Sequence, residues 1–140
     1  MSDIFSIFNT SASALLAQSV RLNTVASNLA NANVATRTAD DAYKPKEVLF
    51  QTVLDEADPD RAAMPVRVAQ VVDSPAKAIP YYEPNHPLAN EEGYIFRPAI
   101  TVVEEMANMM SASRSYEANV EVMNTTRQLL QRTLQIGAAS

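Results

Sequence analysis

Phe8, Leu15, Leu22 and Leu29 stand seven residues apart, and Phe5, Ala12, Ser19 and Ala26 occupy the complementary heptad position. A seven-residue apolar repeat draws one narrow stripe along a helix, and the stripe is stable only when another helix covers it. A matching repeat runs near the other end: Val102, Met109, Tyr116, Met123 and Leu130 on one position, Met106, Ser113, Val120, Arg127 and Leu134 on the other. Two long helices are therefore expected, over roughly residues 3 to 33 and 99 to 136. Small residues alternate with large ones in the first seam, so a partner helix is able to approach closely over Ala12, Ser19 and Ala26. Arg127 reads as a side chain that snorkels to the seam's edge.

The centre of the chain cannot continue either helix. Six of the eight prolines lie between Pro59 and Pro87, with Pro45 and Pro98 flanking them, and each removes a backbone donor and fixes φ. Two stretches read as strands: Val48 and Phe50 leading to Val53, and Val66 and Val68 alternating with Arg67 and Ala69. A third, Tyr94-Ile95-Phe96-Arg97, follows the turn Glu91-Glu92-Gly93, where glycine supplies positive φ. The expected element has about two to four short strands. The fold class that results is mainly α with a small β part: two long terminal helices packed as an antiparallel coiled coil, plus a short-stranded middle segment. Residues 1–36 form the N-terminal helix of the core, 37–98 a linker and small β-containing region, and 99–140 the C-terminal helix. Helix ends are expected at Asn31 to Asn33 through a left-handed asparagine, at Thr101 with Glu104 as a capping box, and at Gly137 as a stop. Glu104 and Glu105 at the start of the last helix, and Arg127 and Arg132 near its end, suit the helix dipole.

Charge is distributed unevenly. The net charge is −5, and the 11 Lys and Arg residues form no basic stripe, which argues against nucleic-acid binding. Through residue 36 the only charged side chains are Asp3 and Arg21, and the outward positions carry Ser, Thr, Asn, Gln and Ala. A solvated helix normally displays Lys and Glu there. Short neutral polar groups suit a helix touched by protein on several sides, because charges are costly to desolvate whereas hydroxyls and amides find partners. Residues 1–20 lack the basic start and unbroken apolar run of a secretory signal, since Ser2, Asp3, Ser6, Asn9, Thr10 and Ser11 interrupt it. No apolar run approaches the roughly 20 residues that span a bilayer, so direct membrane insertion is not expected. With no cysteine there is no disulfide framework and no thiolate metal site.

Catalytic chemistry finds little to work with. His86 is the one histidine and lies between Asn85 and Pro87, far from the convergent groups a general base or metal site needs. Two glycines cannot form a phosphate cradle. The acidic pairs Asp40-Asp41, Asp55-Glu56, Asp58 with Asp60, and Glu91-Glu92 fall in turn-like surroundings and read as solvated. Met106, Met109, Met110 and Met123 recur at helical spacing as adaptable packing. No cofactor is expected, and the chain reads as a non-enzymatic structural protein.

Three stretches carry a resemblance. Leu22-Asn23 with Ala26-Ser27-Asn28-Leu29-Ala30-Asn31-Ala32-Asn33 comes first, then Tyr82-Glu83-Pro84-Asn85-His86-Pro87-Leu88-Ala89 with Glu92-Gly93-Tyr94, then Met110-Ser111-Ala112-Ser113-Arg114-Ser115-Tyr116-Glu117-Ala118-Asn119. On these the chain resembles the bacterial flagellar axial proteins, the rod and hook family, and within it the short subunits of the proximal rod. The resemblance covers nearly the whole chain. It departs at residues 34 to 45, where relatives often have a Thr-Pro-Gly-Tyr-like turn. It implies a helical tube lined by the terminal helices, with a smaller β part outside. It also implies partners among other rod proteins, further copies of this chain and the flagellar type III export apparatus. The implied location is the basal body, in a rod that crosses the periplasm and whose subunits are exported without a cleaved signal.

The expected assembly interface is Phe8, Leu15, Leu22, Asn28, Leu29 and Asn31 on the first helix and Met109, Tyr116, Val120, Met123, Leu130 and Leu134 on the last. The rival readings are a free-standing coiled-coil adaptor that binds one partner, and a small enzyme using its acidic loops with a divalent metal.

Overall fold

The computed structural model describes residues 2–53 and 64–138; the acidic pairs Asp55-Glu56 and Asp58 with Asp60 lie outside them. Helix α1 spans Ser2–Asn31 and α2 spans Val102–Ala138. At 1.5 Å per residue they are about 45 and 55 Å long. Two side-chain bonds give their relative sense: Asn28 Nδ2 donates to Glu105 Oε2 at 3.1 Å, and Arg21 Nη2 donates to Asn108 Oδ1 at 3.3 Å. The end of α1 therefore meets the start of α2, and the two run in opposite directions. Because α2 is the longer helix, its last turns reach past α1, and all of residues 131–138 are exposed.

The packed face of α2 differs from the expected seam by one residue. Its two buried side chains are Ala112 and Thr126, with half-buried Glu105 and Asn119 on the same seven-residue line. On the expected line of Met106, Ser113, Val120, Arg127 and Leu134, Ser113 is half-buried and the other four are exposed, Arg127 having been expected at the seam's edge. Both lines repeat every seven residues, so spacing alone does not choose between them. A small residue such as Ala112, wholly buried, lets α1 come closer than methionine or leucine would. On α1, Ser11, Ala17, Thr24, Val25 and Asn28 are buried, as is Ala32 just past its end, while Phe8, Leu15, Leu22 and Leu29 are half-buried. Those buried positions cover more than one face because α1 is packed against α2 on one side and against the first strand pair on another.

The helix ends depart from the expected caps. No non-glycine residue among those described has positive φ, so α1 does not stop through a left-handed asparagine. Instead Asn31 Nδ2 folds back onto the Ser27 carbonyl at 2.8 Å, and the Val34 N–H takes the Asn31 carbonyl at 3.1 Å. Thr101 stands at the start of α2, where its carbonyl accepts from the Glu105 N–H at 3.0 Å; its hydroxyl does not close a capping box. The helix continues through Gly137 to Ala138, because one glycine weakens a helix by only about 1 kcal/mol and does not by itself end it. Arg127 and Arg132 consequently lie outside the last turn, where the dipole's influence is concentrated.

Between the helices lie two antiparallel pairs. Strands β1 (Lys46–Thr52) and β2 (Val66–Asp73) form one, and β3 (Ile79–Tyr82) and β4 (Tyr94–Arg97) the other. The first ladder shifts register between Leu49 and Phe50, which oppose Gln70 and Val68, so Ala69 is the extra residue of a bulge. Pro45 and Pro65 sit just outside the strands and contribute carbonyls, to Ser74 N–H at 2.7 Å and Val53 N–H at 2.9 Å.

Strand β3 was not legible in the sequence because Pro80 argues against one. The structure shows why it is tolerated. Phe96, opposite Pro80, exchanges both of its backbone bonds with Thr36, at 2.8 and 2.9 Å. Pro80 therefore faces a position where the β3–β4 ladder makes no hydrogen bond, and the missing N–H removes nothing. The same bridge pins the chain leaving α1 to the strand that leads into α2, with Ile95 wholly buried beneath.

The β3–β4 turn matches the expectation: Gly93 has φ of 86°, and the Asn90 Oδ1 accepts from the N–H groups of Glu92 and Tyr94 at 3.0 and 2.9 Å. A Cβ on Gly93 would stand 2.9 Å from Tyr82 Cε2.

Candidate assembly interface

The junction where α1 ends, β1 begins and α2 starts is built around one amide. Asn28 is 3% exposed. Its Nδ2 donates to the Lys46 carbonyl at 2.9 Å and to Glu105 Oε2 at 3.1 Å. Its Oδ1 accepts from the Lys46 N–H at 2.9 Å and the Tyr43 hydroxyl at 3.0 Å. An asparagine amide has two donors and two acceptor lone pairs, and all four are used. Toward Lys46 it stands in for a neighbouring strand, matching both backbone groups. The Tyr43 hydroxyl, having donated to Asn28, accepts from Ser27 Oγ at 3.0 Å. Beyond Glu105 the chain of contacts runs through Asn108 to Arg21, the one cation in the first helix.

Several polar side chains of the helices bond within their own helix instead. Thr24 donates to the Val20 carbonyl at 2.9 Å, Thr126 to Val122 at 2.8 Å, and Asn119 to Ser115 at 2.8 Å. Each folds back on the preceding turn of its own helix. That is how Thr24 and Thr126 are buried without a partner from another element. A helix surface of such residues presents mainly carbon outward, which accounts physically for the near absence of charge in α1.

What remains exposed is apolar and large. Leu16 on α1 is 71% exposed, and on α2 Val103 is 75%, Leu134 57% and Ile136 74% exposed; Phe5, Met106, Met110 and Leu129 are more than half exposed. The accessible surface is 9575 Å², against about 7,100 Å² for a compact monomer of this mass by the usual scaling. An excess of roughly a third is what long helices with little covering them produce, compared with a compact globule.

The residues expected at the interface divide into groups. Tyr116, Val120 and Leu134 are exposed; Phe8, Leu15, Leu22, Leu29, Met109, Met123 and Leu130 are half-buried in the helix pair. Asn28 and Asn31 are engaged inside the chain, the first in the junction and the second on its own helix. Reading the heptads missed Leu16, Val103, Met110, Leu129 and Ile136. Their signal was available as large apolar residues off the seam, where a freely solvated helix would carry charge.

Among the described residues no three of His, Asp and Glu are placed to hold a metal ion, and no helix is long and apolar enough to cross a membrane. His86 Nδ1 accepts from the Leu88 N–H at 3.1 Å, bracing the loop between β3 and β4. Among the described residues, one ion pair has a displaced titration, Lys46 with Asp73, 2.9 Å apart across the end of the first ladder. Their hydrogen bond and mutual attraction raise the lysine and lower the aspartate from their ordinary values.

The comparisons with known proteins match the chain at both helical ends and along its length. The family described as "Flagella basal body rod protein" matches residues 8–36, and that described as "Flagellar basal body rod FlgEFG protein C-terminal" matches residues 91–136. Both cover the helical ends. Curated relatives named "Flagellar basal-body rod protein FlgC" extend over nearly all of the chain. The Salmonella typhimurium protein is 47% identical over 134 residues, covering 96% of this chain and 98% of its own. That of Escherichia coli O157:H7 is 48% identical over the same shares, and that of Aquifex aeolicus 38%. Relatives that match nearly the full length and a family model at the first helix decide the matter, and the chain belongs to the flagellar basal-body rod protein family as a structural subunit of the rod.

Proposed function

We propose that the chain assembles with other rod proteins and with further copies of itself into the helical tube of the proximal rod. Torque passes through the packing between subunits, and no bond is made or broken. The terminal helices line the tube, the strand pairs lie outside, and the subunit reaches its place through the flagellar type III export apparatus without losing a signal peptide. The observation that carries this reading is the set of large apolar side chains that α2 leaves exposed, Val103, Met106, Met110, Leu129, Leu134 and Ile136, on a chain whose other helix bears almost no charge. Such a helix pair buries too little surface to be fully ordered alone, since long helices depend on tertiary cover.

The interface on this reading combines Tyr116, Val120 and Leu134 with Leu16, Met106, Met110 and Leu129, and the half-buried Phe8, Leu15, Leu22, Leu29, Met109, Met123 and Leu130 contribute their outer edges. Imaging intact basal bodies at a resolution that traces the chain tests it: both helices should be packed laterally against neighbouring subunits in the proximal rod. A chain found outside the rod, or one that stays a discrete oligomer at high concentration and joins no rod partner, overturns it.

A further inference from the structure

We infer that the β1–β2 pair is strapped to α1 at two opposite corners, by Ser13 and Asn28, and that these two side chains fix the angle at which the pair lies on the helix. The inference concerns contacts within one chain and holds whatever the chain assembles with.

The ladder decides which backbone groups are free to be strapped. The Pro45 carbonyl accepts from the Ser74 N–H and the Pro65 carbonyl from the Val53 N–H, so the rungs just beyond both ends of the ladder are bonded. Bonded and unbonded rungs alternate between antiparallel strands. Lys46 opposite Asp73, and Val66 opposite Thr52, therefore turn their N–H groups away from the partner strand. Each is the first residue of its strand, so the two stand on opposite edges and at opposite ends of the pair. An edge N–H of this kind is ordinarily left to water or to another chain. Here α1 takes both: Lys46 donates to Asn28 Oδ1 at 2.9 Å and Val66 to Ser13 Oγ at 3.1 Å. The Ser13 hydroxyl gives its own proton to the Thr10 carbonyl at 2.7 Å, which commits its oxygen to accepting.

The lengths agree. At about 1.5 Å per residue the stretch from Ser13 to Asn28 spans roughly 22 Å of helix. At about 3.3 Å per residue Lys46 to Thr52 spans roughly 20 Å of strand, and crossing to Val66 adds roughly 5 Å sideways. Both corners reach α1 only when the pair lies nearly along it. One bond would leave a pivot, whereas two bonds that far apart hold the angle.

Nothing else among the described residues supplies that restraint. The backbone of the pair approaches α1 and no other helix or strand. Both anchors are seated, with Ser11 and Ala17 buried beside Ser13, and Thr24 and Val25 beside Asn28. Between them the fit is loose, because a groove of about 240 Å³ opens there, lined in part by Arg21, Thr24, Val25, Val48 and Phe50. A gap forfeits the close contacts that would otherwise set the angle by packing.

The chain has no cysteine, so paired cysteine variants carry spin labels at chosen places alone. In isolated basal bodies, with labelled copies diluted by unlabelled ones, pulsed electron resonance reads two distances. Ala30 to Thr52 reports the Ser13 end of the pair and Asn9 to Glu47 the Asn28 end; all four residues are exposed. Both distributions should be narrow with Ser13 and Asn28 intact. Ser13→Ala should widen the first and leave the second, since the pair then swings about Asn28. Ser13→Thr, which keeps the oxygen, should restore the narrow distribution. In unlabelled basal bodies Ser13→Ala should also speed exchange of the Val66 amide by about three- to tenfold, the loss of one hydrogen bond. That second measurement decides the matter if the labelled chains do not enter rods. The strap is overturned if the first distance is already broad with both anchors present, if Ser13→Ala changes neither distance or both alike, or if Val66 exchange is unmoved. None of these results touches the rod assignment, which rests on the relatives and not on this contact.

Discussion

At the end of the helix pair where α1 stops and α2 begins, one asparagine uses every hydrogen bond it has and its neighbours are buried. At the other end the same kinds of residue, leucine, methionine and short polar side chains, stand exposed or unmet. Composition does not separate these ends. Their difference is whether backbone from the middle of the chain is present: β1, the linker and β4 crowd the junction, and among the described residues no strand packs on the distal turns of α2. The lesson is that an apolar helix face is a core only where something from the same chain covers it, and elsewhere it is a surface.

Substitutions at the two ends should therefore behave differently. The largest effect is expected from Leu22→Asp, which puts a charge into the half-buried seam of α1 near the junction. Removing a carboxylate from water costs several kcal/mol, so the helix pair should fail and both incorporation into rods and swimming should be lost; normal rods carrying this variant would sink the packing scheme. Next comes Leu134→Asp on the exposed overhang. Here the free chain's exchange pattern should be unchanged while motility falls, and equal damage to the free chain would erase the contrast between the ends.

Gly93→Ala is a milder probe of the junction side. At φ of 86°, with Tyr82 Cε2 2.9 Å from the new Cβ, it should destabilise the β3–β4 turn by about 1–3 kcal/mol. The near-ultraviolet dichroism of the edge-on Tyr82–Tyr94 pair should melt earlier, with distal α2 exchange untouched. The smallest effect is expected from Asp73→Asn. Asp73 titrates below its ordinary value, so its contribution is present above that value and disappears as pH falls through the lowered one; Lys46 titrates above its ordinary value and its contribution disappears as pH rises past it. Stability should therefore be flat in this pair across neutral pH, and both side chains are solvent-exposed, where such pairs contribute little. A thermal melt at ordinary salt should scarcely move, and a strong salt-dependent shift would give the ion pair a weight that its exposure denies.

Much of the architecture was legible because long repeats and prolines are strong signals. Helix extents, the strands around Val48, Val66 and Tyr94, and the Gly93 turn all follow from patterns visible in a single sequence. Strand β3 did not, since Pro80 is acceptable only because Thr36 occupies the bonding side of Phe96, a relation between residues 60 apart. The packed line of α2 also escaped, because Ala112 and Thr126 look unremarkable beside Met106 and Leu134. The role of Asn28 was half visible: its place in the motif marked it for contact, but only the fold shows that its partners are Tyr43, Lys46 and Glu105.

The threonines and asparagines that bond to their own preceding turn have one more consequence. Thr24 and Thr126 are buried yet bond only to their own helices, so burial at these positions asks for a neighbour's shape and not for a partner bond. A seam held in this way tolerates small shifts of one helix along its cover, whereas one built of paired lysine and glutamate would demand a matched opposite at every site.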